Sequence, residues 1–301
     1  MKKILQSVLM LIIFCVPLTS FAADSATEKL IQMELDTYGA EQTGAILNRI
    51  NRLEKDYYGK NMQGNMNVRI DSIYENLYGN SGAPSILAQI NAIEWNAYNE
   101  VSGENIISRL NKLESEISGK TSNETLTKRI KDLSRSSFGN EKIPLVEMQV
   151  PRDLLIKVEL AGNVSSRTLQ EGDLVDIKVA ENVFIDGKLI FAKGLRGKGR
   201  VEKVRKAKGW IAQNGKIHID FYTLNCIDGK NIGVYVGEES KREMSTQDMV
   251  DGAGLVGINL NDDWNKFMVH GKNVEIFSGT KLYIQTEKSV RLYGLQSKSE
   301  F

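Results

Sequence analysis

The sequence predicts an α+β protein of two domains: N-terminal short-helix repeats packed as antiparallel helical hairpins, then a C-terminal antiparallel β-barrel or sandwich. Three observations lead there. Gly39, Gly59, Gly79, Gly119 and Gly139 fall on one twenty-residue step. Within each step the apolar residues recur at helical spacing, and from Ile143 onward the period becomes two, that of a strand.

The first residues read as an export signal. Lys2 and Lys3 precede an uncharged run from Ile4 to Pro17, and Ser20-Phe21-Ala22 sets small residues at the minus-three and minus-one positions of a cleavage site before Ala23. Residues 1–22 are therefore expected to be removed, and the mature chain to reside in the periplasm or cell envelope of a bacterium with two membranes. Cys15 belongs to the signal, since Phe14 before it does not suit a lipidation site. Cys226 is then the lone cysteine of the mature chain, which excludes an intramolecular disulfide framework. No later apolar run approaches the ~20 residues of a membrane-spanning helix.

Charge narrows the partners. Lys and Arg number 39 against 38 Asp and Glu, a formal net charge of +1, which argues against bulk nucleic-acid binding.

Residues 24–140 hold six copies of one unit. Leu30, Ile50, Ile70, Ile90, Leu110 and Ile130 share a column; Met33, Leu53, Ile73, Ile93, Leu113 and Leu133 share another. Ile46, Met66, Ile86, Ile106 and Leu126 form a third, and Arg49, Arg69, Arg109 and Arg129 a polar one. The apolar columns are four and three apart, so they make one stripe of a short helix, with Arg and Glu expected on the other face. Tyr38, Tyr58, Tyr78, Tyr98 and Phe138 precede the glycine position, where Asn99 replaces glycine once. Glycine there is a helix stop, while Thr121 with Glu124, or Pro84, are start signals.

One continuous helix is excluded, because twenty residues at ~100° each would turn the stripe by about 200° per unit. Breaks joined by short polar links give hairpins, with the aromatics closing the seams. A sugar-stacking platform is the rival use of the tyrosines. The segments "ILNRINRLEKDYYG" and "IISRLNKLESEISG" carry a resemblance to the tyrosine-glycine repeats of exported proteins of bacteria with two membranes. That resemblance covers residues 28–139 and implies an envelope or surface context without a defined activity.

After a linker at 141–147, residues 148–295 read as the β domain and 296–301 as a polar tail. "LLIKVEL", "LVDIKVA", "GRVEKV", "KIHIDFYTL", "NIGVYVG" and "KLYIQT" are short, rich in β-branched and aromatic residues, and separated by turns such as Asp186-Gly187 and Asp228-Gly229. A short helical segment is expected around Ser245 to Met249.

The order of these strands resembles a reduced form of the β-barrel in the scaffold proteins of the outer-membrane channel of type IV secretion systems. In that family an apolar-glycine-threonine motif opens the domain and another closes it. Here Ser278-Gly279-Thr280 keeps the second, and Pro151-Arg152-Asp153 stands in place of the first. The family's cytoplasmic tail, inner-membrane helix and proline-rich stretch have no counterpart in this sequence, so the resemblance implies a docking barrel more than a channel.

Motifs for chemistry are weak. "GAGLVG", Gly252 to Gly257, matches a dinucleotide fingerprint in letters but lacks the strand before it and the helix after it, so no nucleotide is expected. His218 and His270 stand apart without zinc-ligand spacing. A calcium loop starting at Asn259 would need glycine sixth and glutamate twelfth, where Trp264 and His270 stand. No cofactor or metal follows.

The distinctive patch is basic. Lys193, Arg196, Lys198, Arg200, Lys203, Arg205, Lys206 and Lys208 meet only Glu202 among acids and end beside Trp210. Such a hairpin could hold an anionic envelope polymer or lipid headgroup, or could simply guard an edge strand. The favoured function is a non-catalytic envelope protein with repeats that space or oligomerise and a β domain that docks to a polymer, a membrane surface or an envelope protein. The alternatives are a component of an envelope export assembly, and a periplasmic cell-wall hydrolase using His218, Asp220 and Asp263.

Overall fold

The computed structural model of this chain describes residues 25–208, 215–251, 266–269 and 273–296. The signal segment, "GAGLVG", Trp210, Asp263, His270 and residues 297–301 lie outside the described residues.

Six helices of thirteen residues each occupy the repeat: α1 (Ala26–Tyr38), α2 (Ile46–Tyr58), α3 (Met66–Tyr78), α4 (Ile86–Tyr98), α5 (Ile106–Ser118) and α6 (Leu126–Phe138). Ser25, Asn65, Ser85, Asn105 and Thr125 cap their starts by accepting a backbone N–H three residues on, each such cap contributing about 1 kcal/mol. Gly39, Gly59, Gly119 and Gly139 stop α1, α2, α5 and α6 in the left-handed region, and Asn99 does so for α4 at φ 59°. Gly79 departs from the pattern: it is extended, at φ −73°.

The expectation that Arg and Glu lie on the face opposite the apolar stripe is corrected at one set of positions. Arg49, Arg69, Arg109 and Arg129 are buried, and each grips a buried glutamate of the preceding helix, Glu34, Glu54, Glu94 and Glu114 respectively. The same glutamates accept the backbone N–H of Gln42, Met62, Ser102 and Ser122, pinning each following link. Geometry explains the burial: Arg49 lies four residues before Leu53 and so borders the apolar stripe. Where the glutamate position is Tyr74, its partner position is Gln89, so both halves of the pair change together. That is the unit whose link starts from the extended Gly79.

The packing reaches beyond sequence neighbours. α1 lies against α3 and α5, and α2 against α3 and α6. Lys29 pairs with Asp71, and the Tyr78 hydroxyl donates to Asp36, tying α1 to α3 at both ends. The end of α2 meets the start of α6, where the Thr127 hydroxyl donates to the Tyr57 carbonyl at 2.6 Å. The repeat thus wraps around a shared core, and helices four apart meet end to start.

The second half contains β1 (Leu145–Val150), β2 (Leu155–Leu160), β3 (Val164–Ser165), β4 (Leu174–Val179), β5 (Val183–Ile185), β6 (Lys188–Phe191), β7 (Arg196–Arg205), β8 (Gly215–Asn225), β9 (Asn231–Tyr235), α7 (Glu238–Asp251), β10 (Lys266–Val269), β11 (Glu275–Ile276), β12 (Lys281–Thr286) and β13 (Val290–Gln296). β8, β7, β4, β2, β12 and β9 pair in that order and β9 returns to β8, closing an antiparallel barrel of six strands. β1, β13, β6 and β5 form a separate sheet, so β1 begins inside the stretch read as linker. α7 contains the short helix expected near Ser245 and rests on β12, where Gln285 accepts the Ser240 N–H.

Alternation fills the barrel with Ile156, Val158, Val175, Ile177, Ile217, Ile219, Phe221 and Ile284, all buried. Gly197 and Gly199 occupy inward positions of β7 because a methyl group there would strike Leu224 and Ile177, or Phe221 and Ile219. So small a barrel has no room for a side chain at every inward position.

Candidate functional site

The basic residues do not gather into one patch. β7 alternates exposed and buried, so Arg196, Lys198 and Arg200 face outward. Acids interleave with them: Asp176 lies opposite Lys198, and Asp220 opposite Arg200. The Arg200 guanidinium also stands 6.0 Å from the centre of the Tyr222 ring. A bulge between Val201 and Lys203 then exposes Glu202 and Lys203 in succession. Beyond it Arg205, Lys206 and Lys208 are exposed.

The histidine singled out in the sequence has a partner that was not. His218 Nδ1 lies 3.1 Å from the Glu202 carboxylate, and Asp220 follows on the same outward face of β8. Burial raises the Asp220 pKa above the ordinary carboxylate value, and the neighbouring Glu202 adds to the shift. These three side chains sit on the outside of the barrel wall. Among the described residues, no three of His, Cys, Asp and Glu come together as a metal site.

Lys193 and Arg196 turn instead toward the helical half. Lys193 Nζ pairs with Glu100 at 3.0 Å, and its backbone carbonyl accepts the Val101 N–H at 2.8 Å. Asn182 is the hub: its side-chain oxygen accepts from Trp95 Nε1 and the Lys193 N–H, and its amide donates to Asn99 Oδ1 at 3.0 Å. Gly194, at φ 89°, lies so close to the Val101 carbonyl that a Cβ would overlap it. Arg196 packs likewise against Gly103.

A second seam lies at the turn 226–229. Its Ile227 carbonyl accepts from buried Asn91, and its Asp228 carbonyl accepts from Asn80 and Ser85. Leu87 lies over Gly229, whose φ of 82° suits glycine. α4 is therefore enclosed by helices on one side and the barrel's turns on the other. Between the seams lies a cavity of about 230 Å³ lined by Asp36, Tyr78, Arg109, Arg196, Asn225 and Asn231 among others.

The sequence held a signal for this junction. "ILAQINAIEWNAY" carries Glu94 as its sole charge and swaps the column arginine and the stop glycine for Gln89 and Asn99. A helix with so few charges and apolar residues on more than one face is suited to burial on both sides.

No known protein family matches this chain, and no curated protein matches it. Among solved structures it is similar to ComB10 of the Com type IV secretion system of Helicobacter pylori, with 15% identity over 47% of this chain and 88% of that one. The TM-score is 0.26. A likeness that distant decides nothing about this protein's role.

Proposed function

We propose that this protein is a non-catalytic structural protein of the cell envelope, in which the helical repeat is a rigid arm mounted on a β docking domain. The observation that carries this reading is the junction itself. Hydrogen bonds donated by Asn91, Val101 and Ser85, and one that Asn99 accepts from Asn182, fix the arm to the barrel at two separate seams. Two seams resist rotation where one would act as a hinge. Along the arm, four buried arginine–glutamate pairs tie α1 to α2, α2 to α3, α4 to α5 and α5 to α6, and separating the partners of a buried pair is costly. Such a build suits a spacer, and the exposed lysines and arginines of β7 and its extension supply the docking face, for an anionic polymer or headgroup.

The test is co-sedimentation of the mature protein with cell-wall sacculi and with outer-membrane vesicles at low and high salt. A variant with Lys198, Arg200, Lys203 and Arg205 changed to Ser runs in parallel. Salt-sensitive binding that the variant loses supports docking through this strand, because exposed charge pairs weaken as salt screens them. Absence of binding in both fractions removes the docking face from the proposal.

A further inference from the structure

The repeat contains its own template for a contact that its ends leave unmade. Inside the molecule, the start of α5 sits against the end of α1, and the start of α6 against the end of α2. A Cβ on Gly39 would lie 2.9 Å from Asn105, and one on Gly59 would lie 3.1 Å from Thr125. The first apolar residue of each covered helix is accordingly buried: Ile106 is 1% exposed and Leu126 3%.

The same position is open on α2 and α3, which like α1 and α4 have no unit four places before them. Ile46 of α2 is 38% exposed and Met66 of α3 is 46% exposed, with Leu47 and Val68 exposed beside them. α4 escapes this fate because the barrel turn at 226–229 covers its start, which leaves Ile86 buried. At the far end the complementary vacancy appears. Among the described residues nothing lies within 4 Å of a Cβ on Gly119 or Gly139, and Ile117 is exposed, whereas Tyr57, at the same place in the unit that α6 covers, is buried.

We propose that the starts of α2 and α3 receive the ends of α5 and α6 of a second copy of this chain. The occupant follows from the repeat: the surface that fits Ile106 and Leu126 is the end of a helix of this same unit, and the free ends are those of α5 and α6. Counting in units, α5 and α6 of the second copy take the places two and one steps before a missing unit, four ahead of α2 and α3. The intervening place is the one whose covering role the chain's own barrel already fills at α4. The contact is head to tail, so it propagates into a ring or a filament and does not stop at a symmetric dimer. It stands independently of what the β domain docks to.

Sedimentation velocity of the mature protein across a concentration series tests this, with Ile46→Glu/Met66→Glu as one variant and Ile117→Glu as another. Wild type is expected to form a concentration-dependent series of oligomers, and each variant alone to remain monomeric. Each variant retains one intact face, the far end in the first and the near end in the second. An equimolar mixture of the two should therefore give a dimer and nothing larger. Circular dichroism at the wild-type level checks that both variants are folded, and variants carrying Ile46→Ala/Met66→Ala or Ile117→Ala replace any that is not. A monomeric wild type at all concentrations overturns the proposal, as does a mixture that fails to dimerise. Oligomers that persist in both variants overturn it too, since association would then use another face.

Discussion

Arg109 Nη2 lies 2.6 Å from Glu94 Oε2, with both side chains almost wholly withdrawn from water. The pair joins α5 to α4, and Glu94 also holds the Ser102 N–H of the link between them. Leaving one charge of such a pair unmatched costs about 3–5 kcal/mol. Glu94→Ala should therefore destabilise the protein by that amount in urea unfolding, while the double variant Glu94→Leu/Arg109→Met should recover much of it. A loss under about 1 kcal/mol for the single change would mean that water reaches the pair.

Asn99 is the repeat's one substitute for a stop glycine, and Asn182 gives the reason. Glycine at 99 would keep the left-handed stop but lose the hydrogen bond that the Asn182 amide donates to the Asn99 side chain. Asn99→Gly is expected to weaken the junction by about 1 kcal/mol without fraying α4. Amide exchange separates the two effects: the N–H groups of Val101 and Lys193 should exchange faster, and those within α4 should not. Faster exchange throughout α4 would show that Asn99 serves the helix and not the junction.

These two pairs also mark how far the sequence could be read. Helix bounds, stops and the change of period at residue 143 were legible because each rests on local physics: a stripe at 3.6 residues, a left-handed glycine, an alternation of two. The burial of Arg49 against Glu34 was not legible, because a single helix offers no sign that its neighbour brings the opposite charge. The strict column of Arg49, Arg69, Arg109 and Arg129 was the available clue, since a solvated face does not hold one residue type at fixed intervals. The acids interleaved with the basic strand were hidden for a related reason. Asp176 and Asp220 lie far from it in sequence and reach it only through strand pairing.

Asp228 couples the junction to pH. Its side chain accepts from the N–H groups of Lys230 and Tyr293 and from the Asn80 amide, yet burial dominates and raises its pKa above the ordinary 3.8. The folded state thus binds this proton more tightly than the unfolded chain. Its contribution to stability is full below the unfolded pKa and is lost as pH rises through the folded one. Asp228→Asn removes the titration, so the stability of wild type relative to this variant should fall on going from about pH 4 to pH 7. A relative stability that stays level or rises over that span, measured by urea midpoints, would show that the hydrogen bonds outweigh burial.

Two residues earlier in the same turn, Cys226 offers a direct probe of the seam. Its side chain is fully buried, and burial, with Asp228 nearby, pushes the thiol pKa well above its usual value. Alkylation requires the thiolate and access to it, and the native fold withholds both. As the lone cysteine expected in the mature chain, it should therefore resist iodoacetamide in native buffer and react only when the surrounding strands and α4 part. Labelling measured at rising urea should follow the loss of β-sheet and helix signals together, because the turn at 226–229 is held by both halves. Labelling that precedes any loss of structure would mean that the arm leaves the barrel before either unfolds. The two seams would then be a hinge, and the rigid-arm proposal would fail with them.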